Sequence, residues 1–400
     1  MELFFNKFLS NLPVVTFGDK NRSKSQRYSP ISQMENDTFV KSAQPVFTGR
    51  RGSGSTKKGA VLKDLDNITC PYSGVKMITP RKMEKIERDL SKCENITEQM
   101  DILGPYRPSM QKLEKNMYSI FKGYEINHPE SSLNDCLQEM YPEALNQLKI
   151  EQLKVLDSVD KISNKMDAGT ALEVRKITVN ARNKIINDDP YVHRRDPNAK
   201  TEDHIFKRKD LLNDLKNATY EKANEAVFEE MWEEANKLPK SSTSMVAFIV
   251  KYADRTPKEI AARLLRPSVA SIEHITPANP ISDDIEAGEN VLTNFMLTSR
   301  DWNSGRSNTP LSQFIKRHPT IPKYAQKHIN DIIKAVKKDK LQDCDWYPYV
   351  LKEKLYNESE GLINLSTEKY HISEEDAFKD APADVVNTYN ELLEKNKAIS

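Results

Sequence analysis

The sequence predicts a mainly helical protein, placed in the α+β class by one short segment near residue 274. Charged residues make up 30% of the chain and glycines number only 12, which favours long solvated helices over tight turns. Apolar residues recur at steps of three or four over several windows with charges between them, the stripe of an amphipathic helix. No period of 20 to 50 residues repeats along the chain, so a solenoid is not expected.

Taken in order, residues 1–60 carry ten Lys or Arg against four Asp or Glu, a net of +6, with a flexible Gly49-Arg50-Arg51-Gly52-Ser53-Gly54 stretch. Such a segment buries little apolar surface and is expected to be a basic, disordered arm. It could touch a nucleic-acid backbone, be read by a partner or delivery apparatus, or simply be solvated. Residues 61–240 read as a helical domain opening on a Cys70-Pro71-Tyr72-Ser73-Gly74 turn. Within it Leu145, Leu148, Leu156, Val159, Ile162 and Met166 mark a helix over residues 143–167, with Pro142 at its start. Helices are expected over residues 171–187 and 211–237. The loop between them carries His193, Arg194 and Arg195, with Lys207, Arg208 and Lys209 beyond, either a DNA-facing patch or a solvated face. Residues 238–244 mark a boundary. The next domain, residues 241–322, holds an apolar run at 245–252 that is strand or buried helix, a short helix at 258–265 and an acidic loop at 279–289. Residues 323–400 are expected to form a helical C-terminal extension, with Ile329, Ile332, Ile333 and Val336 inward and a last helix at 384–396.

Composition excludes several classes. No run of about 18 apolar residues exists, so no spanning helix and no membrane partner are expected. Lys7 splits the apolar stretch of the first residues and no small-residue cleavage site follows, which makes a poor secretory signal. Cys70, Cys93, Cys136 and Cys344 are too scattered for a disulfide framework, and a reducing, cytoplasmic setting is expected, whether native or reached by delivery into a target cell. A net charge of +1 denies the chain the global attraction of a DNA-coating protein.

Chemistry concentrates between residues 271 and 312. There the run Ile272-Glu273-His274-Ile275-Thr276-Pro277 is followed by Asn294, then by Asn303 nine residues on, then by Arg306. This order resembles the HNH family of metal-dependent nucleases, and the segment is similar to the HNH domain of CRISPR RNA-guided effector nucleases, down to the acidic Asp283 and Asp284 and a Gly-Arg-Ser after the final Asn. The likeness covers about a tenth of the chain. It implies a small ββα-metal nuclease centre, in which a strand ends in an acid-His pair and a following helix presents the last Asn.

The resemblance assigns roles that suit the residue types. His274 would be the general base, since an imidazole exchanges a proton near neutral pH. Glu273 and Asn303 would offer oxygens to Mg²⁺ or Mn²⁺. Asn294 would orient the imidazole, with Asn290 as the competing middle Asn. Arg306, where the family often has lysine, would clamp phosphate, with an ordinary exposed arginine as the alternative.

Many HNH proteins also carry two Cys-x-x-Cys pairs around a structural zinc. Here the first pair keeps only Cys70 and the second reads Ser299-Arg300-Asp301-Trp302, so zinc is not expected. If the turn is a relic of that knuckle, residues near 70 pack against residues near 300. The implied activity is hydrolysis of DNA phosphodiesters, in a toxin or antiviral defence setting with an inhibitor or partner protein. The alternatives are a catalytically silent nucleic-acid-binding or assembly protein, and an RNase or nickase acting within a complex.

Overall fold

Capping residues set where the helices start. The computed structural model describes residues 62–63, 65–187, 206–279, 287–338, 340–341 and 343–399; the basic arm, His193, Arg194, Arg195, Asp283 and Asp284 lie outside them. Helix α1 (Pro80–Leu90) begins at Thr79, whose side chain accepts from the Lys82 amide, and has proline in its first turn. Asn95 caps α2 (Ile96–Leu103) in the same way, whereas α3 (Lys112–Glu125) starts at Gln111 with no side-chain cap. Helix α4 (Leu133–Ser163) opens on a reciprocal capping box between Ser132 and Asp135.

That box places the start of α4 ten residues before the expected one, and Pro142 lies inside the helix rather than at its N-terminus. An interior proline costs about 3 kcal/mol. Burial of Leu137, Tyr141, Ala144 and Leu148 along one face outweighs it. The helix expected over 211–237 is also corrected. It is two, α6 (Arg208–Thr219) and α7 (Glu225–Ala235), following α5 (Ala168–Asn187). Tyr220 is extended, Glu221 takes a φ of 68°, and Asn224 caps the restart. Tyr220 then packs edge-on against Phe228, which closes the corner.

The apolar run at 245–252 is a buried helix, α8 (Met245–Tyr252), and a Thr256–Glu259 capping box starts α9 (Pro257–Leu265). Strand β1 (Ala270–His274) pairs antiparallel with β2 (Phe295–Ser299), Ala270 opposite Ser299 and His274 opposite Phe295. Five helices follow in the order α10 (Arg300–Arg306), α11 (Leu311–Arg317), α12 (Ile321–Val336), α13 (Tyr347–Glu358) and α14 (Glu374–Phe378), before α15 (Ala383–Lys397). The described protein is thus mainly helical with one small two-stranded sheet. Among the described residues no helix is long and apolar enough to cross a membrane.

Three apolar cores organise these elements, and they cut across the boundaries expected at 240 and 322. The C-terminal half of α4 packs with α5, α6 and α7. Helices α1, α2, α3, the first half of α4, α8 and α9 share a second core. The third joins the hairpin, α11, α12, α13 and α15 to residues 62–77, the stretch around the Cys70 turn.

Helix α12 holds that turn in place. Asp331 accepts from the Thr69 amide at 3.1 Å, the Thr69 hydroxyl at 2.6 Å and Lys76 Nζ at 2.6 Å. The buried His328 imidazole bonds through Nδ1 to the Thr69 carbonyl at 2.7 Å. Gly74, at a φ of 72°, lies under the Tyr324 ring, and a Cβ there would come within 2.5 Å of it.

Burial lowers the His328 pKa from 6.5 to about 4. The folded state therefore keeps the ring neutral while the unfolded chain binds a proton first, so stability is full above about pH 6.5 and is lost as pH falls through about 4. The expected loss is about 3 kcal/mol between pH 7 and pH 4. Urea melts at the two pH values should show a much smaller acid penalty in His328→Asn, and an unchanged penalty would reject this origin.

Candidate active site

Strand periodicity decides how the predicted residues are distributed. Neighbouring side chains on a strand point to opposite faces, so Glu273 and His274 cannot share one. Glu273 turns inward at 2% exposure, and His274, the last residue of β1, remains partly exposed. The imidazole packs edge-on against Phe295, its cross-strand partner, with ring centroids 5.0 Å apart. Its Nε2 lies 2.6 Å from Asn290 Oδ1. An amide oxygen only accepts, so Nε2 carries the proton, and Nδ1 keeps its lone pair free of any hydrogen-bond donor among the described residues.

Helix α10 follows β2 directly and packs on β1. Asn303 donates its amide to the Ser271 hydroxyl at 3.0 Å and to the Ile272 carbonyl at 2.8 Å, which fastens the helix to the strand. Its Oδ1 accepts no hydrogen bond from the described residues and is still a possible ligand oxygen.

Arg306 departs from the expected phosphate clamp and equally from an exposed arginine. It is fully buried and ion-paired with the Glu273 carboxylate. The guanidinium also donates to the carbonyls of His274 at 2.8 Å, Ile275 at 2.7 Å and Thr309 at 3.0 Å. Its donors are spent inside the protein, where they pin the end of β1 to the end of α10 and fix the backbone from which His274 projects. Burial pushes the Glu273 carboxyl up, to about 7, against the pull of Arg306 and a weaker bond from Thr298. The Tyr72 hydroxyl faces the same guanidinium without the alignment of a hydrogen bond.

Glu273 and Asn303 therefore do not fit a cation as a pair, because the carboxylate is closed by Arg306 while the Asn303 oxygen is open. Among the described residues no three His, Cys, Asp or Glu side chains gather closely enough to cage a metal.

Asn294 also takes a different part from the one expected. Its Oδ1 accepts from the Thr276 amide at 2.8 Å, and its Nδ2 donates to the carbonyls of Thr276 at 3.1 Å and Glu289 at 3.0 Å. It laces the loop after β1 to the stretch before β2, and Asn290 is the residue that reaches the imidazole. Gly288 makes this lacing sterically feasible, since a Cβ there would stand 2.0 Å from the Thr276 carbonyl oxygen and 2.5 Å from Asn294 Nδ2. Gly288→Ala should thus destabilise the chain by about 1–3 kcal/mol. A thermal melt within a degree of wild type would show that the loop has another way to close.

The Cys70 turn meets the end of β2 and the start of α10, so residues near 70 do pack against residues near 300. Cys70 Sγ lies 3.3 Å from both the hydroxyl and the amide of Ser299, and the Tyr72 and Trp302 rings are 6.4 Å apart. Thiol–hydroxyl contact and aromatic packing occupy the ground between the two turns. Compared with family models, with curated proteins and with solved structures, the chain finds no match in any of the three.

Proposed function

We propose that the chain is an endonuclease of the HNH type that hydrolyses DNA phosphodiesters. The observation that supports this most is His274, partly exposed at the end of β1 in a β-β-α unit, with Nε2 committed to Asn290 and Nδ1 open. In this reading Nδ1 takes a proton from water, the water oxygen bonds to phosphorus, and the P–O bond to the departing sugar oxygen breaks in line. Asn290 holds the ring, and Arg306 holds the strand end that carries it. A bound Mg²⁺ or Mn²⁺ would add charge stabilisation at the phosphate. Of the two predicted ligands, Asn303 alone keeps an open oxygen among the described residues with which it would hold such an ion.

A catalytically silent binding or assembly protein is the second reading, favoured by the closure of Glu273 against Arg306. Conversion of supercoiled plasmid by purified protein, beside His274→Ala and with Mg²⁺, Mn²⁺ or chelator, separates the two. Metal-dependent nicking that the variant lacks supports the nuclease. No conversion of plasmid, single-stranded DNA or RNA by the wild type supports the silent protein.

A further inference from the structure

Three of the eight large apolar side chains exposed among the described residues stand on one helix, too many to be scattered surface apolars. Leu172, Val179 and Ile186 of α5 are 54%, 53% and 56% exposed and follow one another at intervals of seven residues. Seven residues are close to two helical turns, so the three form a line about 21 Å long down the outer face. The opposite face is buried through Val174, Ala181 and Ile185, which join the core shared with α4, α6 and α7. Val and Ile are weaker helix formers than Ala, Lys or Glu, so local propensity does not explain their place on an exposed face. Lys176 and Asn183, four residues after Leu172 and Val179, fill the alternate positions of the same line. Apolar residues at one seam position and polar residues at the other are the pattern of a helix that packs lengthwise on a second helix.

Charge decides what kind of helix fits. Side chains three or four residues apart are neighbours on a helix, and within α5 every charged neighbour of the line is a cation: Arg175, Lys176 and Arg182. Arg182 is satisfied by Asp157 and Asp160 of α4. Arg175 donates to the neutral Asn164 amide oxygen, and Lys176 has no ion pair or hydrogen bond among the described residues. Glu173, the helix's one acid, is held by Lys222 at 3.0 Å. Asp214 of α6 lines a groove beside Lys176 without pairing with it. A second copy of the chain would set these cations against their own equivalents, which opposes pairing. A lipid surface fits less well, because helices that lie in a membrane interface bury a broad face with Trp or Phe. This line is one residue wide, contains Lys176 and Asn183, and no aromatic residue stands on α5.

We propose that α5 is a docking strip for an acidic amphipathic helix of another protein. The partner's apolar residues, at heptad spacing, pack on Leu172, Val179 and Ile186, and its Asp or Glu side chains meet Arg175 and Lys176. About 15 residues of partner helix span the line. The strip belongs to the helical body and not to the β-β-α unit, so it stands whether or not the chain cleaves DNA.

Fluorescence anisotropy on the full chain tests it with two labelled synthetic peptides. Each has three heptads with Leu at the two seam positions; one carries Glu at the flanking positions and the other Lys. Saturable binding of the Glu peptide, about tenfold or more tighter than that of the Lys peptide, is the expected result. Leu172→Ser with Val179→Ser should weaken it about tenfold, and Arg175→Glu with Lys176→Glu should reverse the preference between the peptides. All four side chains are exposed, so thermal melts of both variants should match wild type. No saturable binding of the Glu peptide, equal binding of the two, or affinity unchanged by either double substitution would overturn the proposal. Sedimentation of the chain alone and with phosphatidylserine vesicles covers the other occupants. A dimer, or vesicle binding, that Leu172→Ser with Val179→Ser abolishes would assign the strip to a second copy or to lipid and overturn the proposal as well.

Discussion

Arg306→Met should destabilise the protein by about 3–5 kcal/mol, the cost of leaving a buried charge without its partner. Arg306 is fully buried, Glu273 is 2% exposed, and the guanidinium serves three backbone carbonyls as well as the carboxylate. Removing it strands all four acceptors in a buried region. The double variant Arg306→Met with Glu273→Leu should recover much of the loss, because an apolar pair of similar volume avoids the desolvation that the ion pair has to offset. Urea denaturation of the four proteins measures this. A single variant within about 1 kcal/mol of wild type would mean that the pair contributes nothing beyond a surface salt bridge.

If the chain is the nuclease proposed above, His274→Ala should lower cleavage by about 10² to 10⁴-fold with little change in stability, the range for loss of a positioned general base. Asn290→Ala should lower kcat by less, since the ring keeps its lone pair but loses the partner that fixes its tautomer. Asn294→Ala should act chiefly on the loop, lowering the melting temperature first. Plasmid cleavage across pH for the three variants, beside their thermal melts, checks the order. Loss of activity in Asn294→Ala with an unchanged melt, and full activity in Asn290→Ala, would reverse the roles assigned to the two asparagines.

The candidate site was partly legible in the chain. The spacing of His274, Asn294, Asn303 and Arg306 located the hairpin and helix, and the expected packing of residues near 70 on residues near 300 is met by the contact of Cys70 with Ser299. The roles were less legible, although one rule could have separated them. Glu273 and His274 are adjacent on a strand and must face opposite ways, so only one of them could line an open site. The glycine at 288 was the available sign that the loop around Asn294 is tightly folded upon itself.

What the sequence by itself determined is local. Ser132 with Asp135 and Thr256 with Glu259 start their helices through bonds three residues apart, and apolar periodicity sets which faces are buried. Tertiary structure alone decided the rest. Arg306 meets Glu273 across 33 residues, Cys70 meets Ser299 across 229, and Thr69 meets Asp331 across 262. Whether an arginine clamps a phosphate or fills a core depends on which partner the completed fold brings to it. An arginine taken out of water needs a buried carboxylate and three carbonyls to offset its desolvation, and no pattern within a few residues of Arg306 records that those acceptors will be there.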